Sequence, residues 1–132
     1  MKILVDTSVF ISIFAKDVHF DGAIKLFRDI ITGHEGSFCS MTVNEIIWVL
    51  RRGGYNAKFI GEKVDFLFLT PFKYFSVSKE VFDGSIKLME KFNLDYGDSQ
   101  IVAQAITNSI DRIASFDKDF DRVSEIERIE NI

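Results

Sequence analysis

Little in this chain offers covalent or soft-metal chemistry. Only one of its 132 residues is a cysteine, Cys39, so no internal disulfide and no Cys-rich zinc site can form, and a cytoplasmic address is expected. There are two histidines, His19 and His34, with no Cys or second His at ligand spacing, so zinc is not expected. The only proline is Pro71, and linkers, repeats and low-complexity tracts are missing, so residues 1–132 read as a single domain. No apolar run nears the ~18 residues of a membrane span. The run before Asp6 is too short for a signal peptide. Positive charge is in deficit: 16 Lys and Arg against 20 Asp and Glu leave a net charge of −4. That balance excludes a generally basic nucleic-acid wrapper but allows local basic patches.

Apolar residues are plentiful, at 47% of the chain, with 14 phenylalanines among them. A Phe-rich core is expected, with the option of an apolar dimer face. Short apolar runs at Ile3–Val5, Ser37–Cys39, Phe72–Val77, Arg112–Phe116 and Ile126–Ile129 alternate with helical patterns. This alternation predicts an α/β fold, a central parallel sheet of four to five strands with helices on both faces. Helices are expected over 8–16, 21–31, 42–50, 56–69, 78–92 and 98–109. On 78–92 the residues Val81, Phe82, Ile86, Met89 and Phe92 recur near the helical period. Trp48 lies in a helical apolar run and is expected in the core or at a partner face. Val64–Tyr74 carries more aromatic surface than one helix edge needs. It reads either as core or as a face for a second copy or an amphipathic partner helix.

In such folds ligands bind beyond the carboxyl ends of the strands. Asp6 directly follows the first strand, and Asp117 follows the strand ending at Phe116, with Asp119 and Asp121 close behind. Glu45 and Asp98 fall in the first turns of two predicted helices, on the same rim. Each acid has a purely structural explanation as well: Asp6 and Asp98 as helix caps, Thr42–Glu45 as a capping box, and Asp117–Asp121 as a solvated turn. Together they describe a different object, because converging carboxylates resist burial unless a cation neutralises them. Oxygen donors suit hard divalent ions, and such an ion beside a phosphate ester implies hydrolysis. His19 and His34 are expected far from this rim.

The segments Val5-Asp6-Thr7-Ser8, Thr42-Val43-Asn44-Glu45-Ile46, Asp98-Ser99 opening an apolar helix with Ala103 and Ala105, and Ser115-Phe116-Asp117-Lys118-Asp119-Phe120 form an ordered set. In order and spacing they resemble the PIN-domain nuclease family, in particular the small VapC-like toxins of type II toxin–antitoxin pairs. The resemblance runs from Ile3 to about Ile129. It implies a three-layer α/β/α sandwich and a ribonuclease leaving 5′-phosphate and 3′-hydroxyl ends. It implies an acidic quartet of Asp6, Glu45, Asp98 and Asp117 that binds Mg²⁺ or Mn²⁺. Asp6, Asp98 and Asp117 then match metal ligands, and Glu45 holds a water or a second ion. Thr7, Ser8 and Ser115 match supporting hydroxyls, and Asp119 matches an acidic neighbour that could act through water. Ser99 stands where alanine is common, and Ser115 replaces a common threonine while keeping the hydroxyl.

RNA beside such a site needs basic residues to offset repulsion. Arg51, Arg52 and Lys58, with Lys118 between two acids, are the candidates, and Lys16 is a weaker one. The expected partners are RNA, a second copy of the chain and an antitoxin protein, with no membrane. A dormant PIN-like scaffold in RNA processing is the alternative. A phosphoacceptor receiver fits poorly, because Phe72–Val77 has no acceptor Asp after it.

Overall fold

Ile3, Leu4 and Val5 are almost wholly buried, and they alternate between the two faces of a parallel sheet. In the computed structural model, which describes residues 1–132, this run is strand β1 (Lys2–Val5), and it lies at the sheet's centre. The chain continues through α1 (Thr7–Ala15), α2 (Phe20–Gly33), β2 (Glu35–Cys39), α3 (Ser40–Arg52), α4 (Ala57–Leu69) and β3 (Lys73–Phe75). It then forms α5 (Lys79–Phe92), α6 (Tyr96–Thr107), β4 (Arg112–Ala114), a 3₁₀ turn (Lys118–Arg122) and β5 (Glu127–Ile129). Strand order is β3-β2-β1-β4-β5, and every pairing is parallel. The three-layer α/β/α arrangement is therefore as expected. No helix is long and apolar enough to cross a membrane.

Strand alternation divides the core. Ile3, Val5 and Phe38 face α1 to α4, where Phe10 meets Phe14, Phe27, Phe38 and Phe72. Leu4, Cys39 and Ile113 face the opposite layer, with Val81, Leu88, Ile101 and Val102 from α5 and α6. Gly36 lets the first layer close over β2. A Cβ there would lie inside the van der Waals envelope of the Phe72 ring and 2.9 Å from Ile30 Cγ2. Gly36→Ala is expected to destabilise by about 1–3 kcal/mol, as overpacking of a filled site does, and a thermal melt reads it.

Several sequence expectations need correction. Helix α3 begins at Ser40, with extended Cys39 as its N-cap, so Thr42–Glu45 lies within the helix and is no capping box. Helix α6 begins at Tyr96 after Asp95, so Asp98 sits in the first turn and does not cap it. On α5 the inward stripe is Val81, Ser85 and Leu88, while Phe82 and Ile86 are exposed. Gly84 lies opposite Ala103, where an added Cβ would sit in ordinary contact at 3.5 Å, so α5 and α6 meet there through small residues while Val81 and Leu88 fill the core to either side. Trp48 is 61% exposed and outside the core, because Ile46 and Leu50, four apart, take the inner face of α3. In Val64–Tyr74, Leu67 and Phe72 are buried while Phe68, Leu69 and Tyr74 remain exposed, so the segment serves both core and surface.

Candidate active site

All five strands run the same way, so β1, β2 and β4 deliver their successors to one rim. Asp6 leaves β1 there, 4% exposed, and its backbone N–H donates to the Ala114 carbonyl of β4. It is the N-cap of α1, and its Oδ2 accepts from Ser8 N at 3.3 Å. The capping explanation therefore holds for Asp6, but it does not exhaust the residue. The same oxygen accepts from the Ser115 hydroxyl at 2.7 Å. Ser115 Oγ in turn accepts from Asp117 N at 2.9 Å and lies 3.2 Å from Ser8 Oγ, which accepts from Phe116 N at 3.0 Å. A hydroxyl has one proton. With Asp6 ionised, that of Ser115 goes to Asp6, so Ser8 donates to Ser115. These bonds tie the ends of β1 and β4 into one chain of fixed polarity.

Ser115 has further support. Its N–H donates to the Ile129 carbonyl, and its carbonyl accepts from Arg128 Nη1 at 3.0 Å. The Arg128 guanidinium also pairs with Asp121 and Glu130. Sequence reading names Asp121 only as part of a turn and does not single out Arg128 or Glu130, since an Arg in a short edge strand carries no local signal.

Thr7 Oγ1 donates to Glu45 Oε1 at 2.7 Å across 38 positions of sequence. Asp98 from α6 meets Asp117 and Asp119 from the 3₁₀ turn: one carboxylate oxygen of each lies within 4.8 Å of the others. Asp117 Oδ1 accepts from Asp119 N, and Asp119 Oδ1 accepts from Arg122 at 3.2 Å. Asp6 and Glu45 stand outside that tight trio but close enough to act on it electrostatically. Burial raises the Asp98 pKa, and the charges of Asp6, Asp117, Glu45 and Asp119 raise it further, to about 7. Burial also raises Glu45, with Asp6 and Asp117 adding to the shift against the Thr7 bond. Asp6 is raised by burial in spite of its hydroxyl donors. An all-oxygen donor set in which protons are held this strongly fits a hard divalent cation, which would relieve the same repulsion.

The basic candidates are placed differently. Lys118 lies on the rim, exposed between Asp117 and Asp119. Arg51 and Arg52 close the far end of α3, about 10 Å along the axis from Glu45 at 1.5 Å per residue. Lys58 is in the first turn of α4, and exposed Lys16 ends α1. Nothing brings these four against the acids. His34 meets the N-terminal amine, away from the rim as expected. His19, expected far away, instead stacks on Phe116 between Ser115 and Asp117. The turn after α1 carries it back.

Ser99, next to Asp98, is fully buried, and its hydroxyl has no hydrogen-bond partner. Ser99→Ala removes an unpaired polar group and is expected to raise stability by up to about 1 kcal/mol, read as a higher melting temperature.

No curated protein matches the sequence. The fold, however, recurs among solved structures. VapBC2 from Rickettsia felis, crystallised with a DNA fragment from its promoter, superposes with a TM-score of 0.78 at 14% identity, covering 98% of both chains. VapC20 of Mycobacterium tuberculosis, a toxin that cleaves the sarcin-ricin loop, gives 0.77 at 18% identity over 90% of this chain and 92% of its own. VapBC-1 from nontypeable Haemophilus influenzae gives 0.73 at 14% identity, over 98% and 97%. These likenesses establish the fold. Residues 3–126, nearly the whole chain, match the PIN domain description, and the chain belongs to the PIN domain family.

Proposed function

We propose that this protein is a metal-dependent endoribonuclease, the toxin of a toxin–antitoxin pair acting in the cytoplasm. The observation that carries the reading is the convergence of Asp98, Asp117 and Asp119 on the carboxyl rim of the sheet, where burial and then the charges of Asp6, Asp117, Glu45 and Asp119 raise the Asp98 pKa to about 7. Membership of the PIN family and the likeness to toxins of VapBC pairs support it.

In this reading Asp98 and Asp117 bind Mg²⁺ or Mn²⁺, with Asp119 as a third donor and Asp6 as the buried carboxylate behind them. A divalent ion there would act as a Lewis acid toward a phosphoryl oxygen of RNA. Glu45 is anchored through Oε1 by Thr7, so Oε2 is left to accept a proton from the attacking water. Ser8 and Ser115 keep Asp6 and the Asp117 backbone in register, so the acids need little rearrangement when substrate arrives. Lys118 is the residue best placed to meet a phosphate, with Arg51, Arg52 and Lys58 further along the RNA path. A second copy and an antitoxin are the proposed protein partners. The exposed apolar residues Trp48, Phe68 and Leu69 provide surface for them.

The test is cleavage of total cellular RNA by purified protein with Mn²⁺, Mg²⁺ or a chelator, followed by mapping of the 5′ ends. Cleavage that requires metal and leaves 5′-phosphates is the expected result. RNA binding without cleavage in either metal would replace the enzyme by a dormant scaffold.

A further inference from the structure

One aromatic pair at the rim is only half in the core: Phe116 packs against the α1–α4 layer, and exposed His19 covers its outer side. The His19 and Phe116 rings stack with centroids 4.4 Å apart and planes 6° from parallel, the flattest stack in the molecule. His19 is exposed, so one imidazole face covers Phe116 and the other meets solvent. The arrangement is held from both sides. Lys16, at φ 54°, reverses the chain after α1. The Asp17 carboxylate accepts from Ser12 Oγ at 3.0 Å and from His19 N at 2.9 Å. Phe116 is fixed by its own N–H on Ser8 Oγ, within the hydrogen-bond chain that positions Asp6 and Asp117.

Phe116 and Asp117 are consecutive, about 3.8 Å apart at Cα. The Phe116 ring turns toward the α1–α4 layer while Asp117 meets Asp98, yet the short separation keeps the stack within reach of a nucleotide next to one whose phosphate meets the acids. Unpaired RNA bases stack on aromatic and imidazole planes largely without regard to sequence. We propose that His19 and Phe116 form a stacking platform for an unpaired nucleobase flanking the scissile phosphate, with the outer face of His19 as the contact surface. This deepens the ribonuclease reading and rests on it.

The alternative is that His19 merely shields Phe116, and three variants separate the two. His19→Leu covers Phe116 without offering a plane, His19→Phe restores the plane, and His19→Ala removes both. Each is combined with Asp98→Asn, and binding of a fluorescein-labelled, mixed-sequence single-stranded RNA 12-mer is followed by anisotropy, with melting curves showing that each protein is folded. The Ala and Leu variants should bind about ten-fold more weakly than the Asp98→Asn parent, and the Phe variant within about two-fold of it. With Asp98 intact, the loss on a cleaved RNA should fall on KM rather than kcat. Equal binding by the Leu variant and the parent would overturn the platform. In that case metal-dependent cleavage by the unmodified protein would leave the nuclease reading standing. If the unmodified protein neither cuts nor binds RNA, both fall.

Discussion

Asp98→Asn should abolish ribonuclease activity and yet melt higher than the parent in chelator at pH 8. The two effects share one cause. In the folded protein, burial and the charges of Asp6, Asp117, Glu45 and Asp119 raise the Asp98 pKa from 3.8 to about 7. The folded state thus holds this proton more tightly than the unfolded chain does. Below about pH 4 both states are protonated, and the acid does no harm. As pH rises toward 7 the unfolded chain ionises first, so stability falls, and above about 7 the loss is complete. An undiscounted shift of this size would be about 4 kcal/mol, but part of the carboxylate is solvated, so about 1–2 kcal/mol is the expected loss. Asparagine is neutral at every pH and escapes it. The variant's advantage should therefore be absent at pH 4 and appear between pH 4 and 8, in melts with chelator present. Adding Mn²⁺ should reverse the order, because only the parent keeps the carboxylate a cation needs. A melting difference that stays the same at every pH would mean that neither burial nor the neighbouring acids raise the Asp98 pKa. Full activity in Asp98→Asn would remove this residue from the metal site.

What could be read from residues alone follows the range of the physics involved. The apolar run Ile3–Val5 ending in Asp6 states its own environment, because a strand buried on both faces admits little else, and an acid at its end must lie on the rim. The pattern at Arg112–Asp117 works in the same way. The two helix starts were placed less well. Thr42 to Glu45 carries the local signature of a capping box, but the partner of Glu45 is Thr7, a contact that only the assembled sheet creates. The place of His19 escapes the sequence for a similar reason. A left-handed residue at Lys16 redirects the chain, and neither its charge nor its spacing announces that turn. The periodicity of α5 marks the helix but not its inner face, because apolar residues lie on more than one side and only packing against α6 buries Val81, Ser85 and Leu88. The resemblance matches Asp119 to an acidic neighbour that could act through water, and its oxygen lies within 4.8 Å of those of Asp98 and Asp117.

Gly97→Ala should lower kcat about a hundred-fold or more while leaving the melting temperature nearly unchanged. Gly97 lies in the first turn of α6, immediately before Asp98, and has no unusual backbone angle to protect. By propensity alone, alanine in a helix interior is favoured by up to about 1 kcal/mol. Against that, its Cβ would lie 2.9 Å from Glu45 Oε2 and 3.5 Å from Cδ, with Met41 Sδ at 3.8 Å. The nearest atom is the end of a flexible side chain, so the clash is relieved by moving the Glu45 carboxylate rather than the helix. An off-rotamer side chain costs about 0.5–1.5 kcal/mol, comparable to the propensity gain, so the two nearly cancel in stability. They do not cancel in function. The contact falls on Oε2, the oxygen left free by the 2.7 Å Thr7 bond to Oε1, so relief displaces the proton-accepting atom itself, and a misplacement of about 1 Å in a positioned group can cost on the order of a hundred-fold in rate. Gly61→Ala supplies the control: a Cβ there meets nothing within 4 Å, so it should gain stability with unchanged kcat. Glu45→Gln supplies the comparison, since a deficit shared by Gly97→Ala and Glu45→Gln locates the loss at that carboxylate. If Gly97→Ala retained full activity, the position of Glu45 would be irrelevant to the reaction, and its proposed part in accepting the proton would have to pass to another group on the rim.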